Sequence, residues 1–300
     1  MNVVTGAFGF TGKYIAAKLL SRGIRVLTLT NHPETQGALA EKISVAPFDF
    51  ENPGQLTKSL QGATTLYNTY WVRFKHRDVT FQKAVLNTYT LIAAAKKAGV
   101  GRIVHISITN ASLDSKLPYF KGKAEVEQAV IQSGIPYAII RPAIIFGAED
   151  ILINNIAWLL RRLPVFIIPG NGDCLVQPVF VDDLATLAVD SAQSGGNPVI
   201  DAVGPEVYTF QELVRLIAQA VESRAKLVHL PPRAALLGAK LLGLVVKDVL
   251  LTKDEVDGLL SNLLVTASAG TAPTKLSDWL YENASRVGTR YVSELSRHYK

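Results

Sequence analysis

The 300-residue chain is 48% hydrophobic and 19% charged, enough apolar surface for one large core or two and too little charge for a disordered chain. Its formal net charge of +6 is scattered without a long Lys/Arg block, which argues against a nucleic-acid partner and fits phosphorylated ligands. Cys174 is the single cysteine, which excludes an internal disulfide and a cysteine metal cluster and fits a reducing, cytoplasmic setting.

Met1-Asn2-Val3-Val4-Thr5 already reads as a strand, so no targeting peptide is expected ahead of it. Further short β-branched runs follow at Arg25 to Thr30, Ile43 to Pro47, Thr64 to Asn68, Arg102 to Ser107 and Tyr137 to Arg141. Between them lie helical patterns at Thr11 to Arg22, Pro53 to Gln61, Val79 to Ala98 and Phe120 to Ser133, with a short helix near Glu34 to Glu41. Gly23, Gly99 and Gly134 each stand where a helix needs a left-handed cap before the next strand. This alternation predicts an α/β fold with a doubly wound parallel sheet.

Past Gly147 the pattern becomes mixed, with helices at Ile153 to Leu163, Val181 to Ser191 and Thr209 to Glu222 and a long apolar helix after Pro232. The expected organisation is a dinucleotide-binding domain over 1–148 and a smaller C-terminal substrate lobe over 149–300, with about 174–200 returning to the sheet. Thr266 to Thr274, rich in Ala, Ser, Thr and Gly, reads as a mobile loop. The apolar stretch Ala234 to Leu251 is broken by Lys240 and Lys247, so it reads as an amphipathic helix, with membrane contact as the alternative, and not as an integral membrane segment.

The segment Thr5-Gly6-Ala7-Phe8-Gly9-Phe10-Thr11-Gly12 leaves a strand and opens a helix. Glycines there let backbone turn sharply and approach a pyrophosphate, and the helix end offers free N–H groups and a positive dipole. A Walker A loop does not fit, because five residues separate Gly6 from Gly12 and Tyr14 follows Lys13. The second strand ends at Thr30-Asn31-His32 with no acid before Glu34. With Lys13 at the loop and Asn31 and His32 able to meet a 2′-phosphate, NADP(H) is expected over NAD(H). Asp49 reads either as an acceptor for the adenine amino group or as a cap for the helix near Pro53.

Tyr119-Phe120-Lys121-Gly122-Lys123 gives a Tyr-x-x-x-Lys pair on one helix face. A lysine near the phenol would lower its pKa and let it act as a general acid or base at a carbonyl or alcohol. Lys123 also reads as a solvated charge paired with Glu127 four residues on. The five histidines, His32, His76, His105, His229 and His298, show no metal-ligand spacing.

With Val104-His105-Ile106-Ser107, Ile140-Arg141-Pro142-Ala143-Ile144-Ile145-Phe146-Gly147 and Val179 to Ala185 added, the chain resembles the extended short-chain dehydrogenase/reductase superfamily, in its NmrA-like branch with sugar-nucleotide epimerase relatives and a complex I accessory subunit group. The resemblance implies a Rossmann fold and a hydride-transferring oxidoreductase or epimerase acting on a small molecule. A cofactor-binding sensor or assembly protein with a protein partner is its alternative. By resemblance, Gly6, Gly9 and Gly12 would carry the pyrophosphate and Lys13 the 2′-phosphate, with Phe8, Phe10 and Thr11 also at the cofactor. Asn68, Thr69 and Ser107 would meet the ribose and nicotinamide, Tyr119 and Lys123 would be catalytic, and Pro142 and Phe146 would line the nicotinamide pocket. Two departures stand out. Ser107, Thr109 and Ser112 all qualify as the helper hydroxyl, and Tyr70-Trp71-Val72-Arg73-Phe74 is bulky where the family keeps small residues, making it either an aromatic wall or a plug.

Overall fold

A computed structural model describes residues 1–31 and 39–298 of the chain. It divides into two compact units, the first comprising 1–142 and 181–202 and the second 143–180 and 203–300.

The first unit is built on seven strands: β1 (Asn2–Thr5), β2 (Val26–Thr30), β3 (Ser44–Pro47), β4 (Thr65–Asn68), β5 (Arg102–Ile106), β6 (Tyr137–Pro142) and β7 (Val199–Ala202). Their order is β7-β6-β5-β4-β1-β2-β3, and every neighbouring pair is parallel. The strand order reverses between β1 and β4, the point at which a doubly wound sheet opens a crevice beyond its carboxyl ends. β1, β2 and β5 are buried along their whole length, as befits strands covered on both faces.

The covering helices are α1 (Phe10–Ser21), α2 (Pro53–Leu60), α3 (Phe81–Ala98), α4 (Pro118–Gln132) and α5 (Val181–Ser191). α2, α3 and α4 pack in series on one side, while α1 packs on α5. Leu56, Leu60, Leu91, Val126 and Val130 close the core against Val3, Leu66, Ile103 and Ile139. Lys18 to Asp182 and Arg22 to Asp190, each at 2.7 Å, tie α1 to α5. Gly23, Gly99 and Gly134 take φ of 71°, 72° and 77°, the left-handed geometry that a side chain resists.

Boundaries shift where local chemistry intervenes. Pro118 occupies the first turn of α4, where its missing N–H costs nothing, and this draws Tyr119 inside the helix two residues earlier than the apolar pattern indicates. The short helix expected near Glu34 to Glu41 falls mostly outside the described residues, and Ala40–Lys42 forms a 3₁₀ turn. Asn52, not Asp49, caps α2 by accepting from Gln55 N at 3.1 Å.

The second unit has its own core, in which Phe146, Ile153, Ile156, Leu160, Leu213, Ile217, Trp279 and Leu280 pack together. The helices Leu152–Arg162, Phe210–Ala220, Pro232–Val246, Lys253–Leu260 and Leu276–Asn283 belong to it, with the parallel pair Val165–Pro169 and Lys226–Leu230. The stretch read as a mobile loop, 266–274, is instead pinned. Thr271 N and Ala272 N both donate to Val203 O, and Val203 N donates to Thr271 Oγ1 at 3.1 Å. Small residues serve there for close approach, since a Cβ on Gly270 would lie 3.0 Å from Gly204 O.

At the mouth of the sheet a Cβ on Gly12 would overlap the carbonyl oxygen of Gly6, so α1 can reach the loop only without a side chain at that position. Gly12→Ala should therefore lower the unfolding free energy by about 1–3 kcal/mol in urea titrations, the usual range for overpacking.

Candidate active site

The glycine loop sits at the β1/β4 reversal and is pinned on both sides. Gly6, at φ 63°, donates from its N–H to Leu29 O at 2.9 Å, and Gly9 N returns to Gly6 O at 2.9 Å. Ala7 N donates to Thr28 Oγ1 at 3.0 Å. Thr5 Oγ1 accepts from Thr69 N at 2.8 Å and Tyr70 N at 3.1 Å, while Thr69 Oγ1 donates to Thr5 O at 2.5 Å. Gly9 caps α1 with no side-chain acceptor, leaving the helix amides to a ligand of the right charge.

Around this loop Phe8, Phe10, Thr11 and Lys13 are half-buried. Phe10 meets Tyr14 edge-on at 6.0 Å, and the Lys13 ammonium lies over the Tyr14 ring at 5.3 Å. Asn31 is exposed at the end of β2, whereas His32 lies outside the described residues. Asp49 is exposed and accepts from Glu51 N at 3.0 Å.

Deeper in the first unit, the last residue of β4 is the register partner of the penultimate residue of β5, which brings Asn68 against His105. Asn68 is buried and its side chain is committed internally: Oδ1 accepts from Thr5 Oγ1 at 3.3 Å and Tyr70 N at 3.1 Å, and Nδ2 faces His105 Nδ1 at 3.2 Å. It positions the 68–71 turn and assigns the accepting role to Nδ1, leaving the His105 hydrogen on Nε2. Burial, aided by the nearby Lys123 charge, holds the His105 pKa well below its ordinary value, so this ring stays neutral.

Lys123 is 3% exposed, which rules out its reading as a solvated surface charge. Its Nζ donates to Ile106 O at 2.9 Å and lies 4.8 Å from the centre of the Trp71 ring. Burial pulls its pKa down to about 7, partly opposed by the Glu127 charge. Glu127 itself is held by Arg141, through Nε at 2.9 Å and a terminal nitrogen at 2.5 Å.

Tyr119, one turn before Lys123, is half-buried and meets Trp71 and Phe81 edge-on at 5.8 and 5.7 Å. Trp71 thus touches both members of the Tyr-x-x-x-Lys pair. It also fits against Gly122, where a Cβ would stand 3.0 Å from the indole. The rest of the bulky segment goes elsewhere: Tyr70 packs on Phe48 and Phe50, and Phe74 is buried.

Among the three hydroxyls, Ser112 is exposed and accepts from Asp114 N, and Thr109 is wholly buried. Ser107 is the one whose buried Oγ has no hydrogen-bond partner among the described residues, a condition shared by Trp71 Nε1 and His105 Nε2. Native proteins rarely leave such groups unmatched, so an unmatched hydroxyl at the carboxyl end of β5 fits a ligand's polar atoms. Pro142 ends β6 and accepts from Thr109 N at 2.9 Å. Phe146 is fully buried in the second unit, between Phe180 and Trp279 at 5.4 and 5.5 Å.

A family model described as NAD(P)H-binding matches residues 6–150, and the chain carries that domain. Two mitochondrial relatives bear the name NADH dehydrogenase (ubiquinone) 1 alpha subcomplex subunit 9. The one from Arabidopsis thaliana is 25% identical over 240 residues, 76% of this chain and 60% of its own length. The one from Mus musculus is 28% identical over 290 residues, 91% of this chain and 76% of its own. In fold, the chain is similar to an NADPH-dependent quinone oxidoreductase from Escherichia coli complexed with NADPH, with a TM-score of 0.76 at 24% identity, covering 95% of this chain and 99% of that one.

The buried lysine has a signature in solution. Below pH 7 both folded and unfolded chains carry its proton and the burial penalty is felt in full; between about 7 and the ordinary 10.5 only the unfolded chain does, so stability rises with pH. Lys123→Met should be the more stable protein at pH 6, on the order of a few kcal/mol. In urea titrations that advantage should shrink steadily toward pH 10.

Proposed function

Because the chain belongs to the extended short-chain dehydrogenase/reductase-like family, we propose that it is an NADP(H)-dependent oxidoreductase acting at a carbonyl or alcohol carbon of a small molecule. The dinucleotide, when bound, supplies or accepts the hydride. Gly6, Gly9 and Gly12 would hold the pyrophosphate, with Lys13 and Asn31 facing the 2′-phosphate. The absence of an acid at Thr30-Asn31 supports the NADP(H) preference, since a carboxylate there would grip the ribose hydroxyls of NAD and repel a phosphate.

The observation that carries the reading is the buried amine one turn from the half-buried phenol. A lysine that titrates near neutrality, held by one carbonyl beneath an indole, destabilises the fold, and such groups concentrate where chemistry needs them. Tyr119 would pass a proton to or from the substrate oxygen, Lys123 would bias the phenol toward phenolate, and the Ser107 hydroxyl would polarise the carbonyl. The single cysteine supports work in a reducing compartment such as the cytosol.

A second reading rests on Trp71, whose indole covers the Tyr119/Lys123 pair as a plug would. On it the protein binds NADP(H) without turnover and acts as a redox sensor or assembly factor, as the names of its mitochondrial relatives invite.

Fluorescence titration with NADPH and NADH, followed by a screen for NADPH consumption with carbonyl compounds, separates the two. The enzyme reading expects NADPH to bind more tightly than NADH, and Lys13→Ala to remove about tenfold of that preference. It also expects Tyr119→Phe to bind NADPH as the wild type does while losing about 10²–10⁴-fold in turnover. Binding without consumption, unaltered in Tyr119→Phe, would establish the sensor reading; no binding of either nucleotide would contradict both.

A further inference from the structure

The helix Pro232–Val246 turns an apolar face to solvent. Leu237, Leu241, Leu244 and Val245 are 59, 58, 71 and 76% exposed. At 100° per residue they share one arc of roughly 100°, a continuous aliphatic stripe. On its opposite side the helix meets its own unit through buried Ala235 and Gly243, and at the edge of the stripe Gly238 abuts Ile167. A single exposed leucine means nothing, but four in register leave an unpartnered surface.

The border of that stripe is cationic. Arg233 and Lys240 are exposed and fall on the adjoining arc of roughly 20°, and the exposed Lys247 caps the end of the helix in the left-handed conformation. Positions 232–246 contain no Asp or Glu, and none of the three cations is ion-paired among the described residues. The next acid, Asp248, is buried and spent on Tyr291 Oη, Glu294 N and Leu295 N. Lys253, which lies close enough to Arg233 to feel its charge, is paired with Asp257 at 2.7 Å and adds nothing to this field.

We propose that this helix lies flat on an anionic membrane surface, with the leucine stripe at the headgroup–acyl boundary and the cations on the lipid phosphates. Charge chooses this occupant over a second copy of the chain, because two such faces brought together would set cations against cations with no acid between them. The stripe is purely aliphatic, offers a partner protein no hydrogen bonds besides those of its cationic edge, and thus has the composition of an interfacial helix. The attachment is peripheral: the helix has 15 residues, and no helix among the described residues is long and apolar enough to cross a membrane.

The test is sedimentation of the purified full-length protein with vesicles of phosphatidylcholine alone or mixed with phosphatidylglycerol, together with its mass in solution. The wild type should pellet with the anionic vesicles, much less with the neutral ones, and be released by salt. Leu241→Glu/Leu244→Glu should abolish binding. Lys240→Gln/Lys247→Gln, which leaves the stripe intact, should weaken it by roughly tenfold or more, since each cation near such a surface contributes measurably. All these positions are exposed, so both variants should keep wild-type melting and NADPH titration curves. The proposal is overturned if the wild type remains in the supernatant with both vesicle types, if the leucine variant binds as the wild type does, or if the wild type is a dimer that Leu241→Glu/Leu244→Glu makes monomeric.

Discussion

Everything at the candidate site depends on keeping one ammonium out of water. Lys123 reaches from the second turn of α4 under the indole of Trp71 to a single backbone acceptor, Ile106 O at the end of β5. One hydrogen bond and one ring face are poor compensation for lost hydration, which is why its pKa falls to about 7. The neighbouring carboxylate, Glu127, opposes that fall only in part and is itself held by Arg141. A fold selected for stability alone would place an aliphatic side chain there. An amine poised between its two protonation states beside a phenol is what proton transfer near neutral pH requires.

The sheet makes this arrangement possible. Reversal of strand order between β1 and β4 leaves their carboxyl ends without a crossing helix, and the chain fills that gap with backbone. Thr5 and Thr28 use their hydroxyls to fix the loop from inside, so its glycines need no side chains of their own to hold shape. Asn68 then couples the loop side to the β5 side through Thr5, Tyr70 and His105, and the turn it sets carries Trp71 onto α4. Loop, indole and buried amine are therefore parts of one frame of hydrogen bonds and ring contacts within the first unit.

Much of this was legible in the chain. The six strand runs stand within about a residue of their positions because parallel, doubly covered strands are written as unbroken β-branched segments. The glycine caps stand where expected because only a left-handed residue can end those helices so abruptly. The spacing of Tyr119 and Lys123 places them one turn apart on α4. The burial of Lys123 was not legible, because the local sequence offers Glu127 at a helical interval and says nothing of Arg141 arriving from β6. The Asn68 to His105 contact spans 37 residues and needs the strand register, which no local pattern carries. Phe146 follows a β-strand run that reads like the others, yet its ring belongs to the core of the second unit. The 266–274 stretch has the composition of a mobile loop, and only the carbonyl of Val203 explains its small residues as close packing.

The most direct test of the account is the ionisation of Lys123 itself. Nitrogen-detected NMR of lysine side chains, with Lys123→Met to assign the resonance, would follow its Nζ through a pH titration of the free protein. The account requires a midpoint near 7, well apart from the remaining lysines. A midpoint close to 10.5 would mean that the ammonium is hydrated, and the buried amine on which the proposed chemistry stands would be gone.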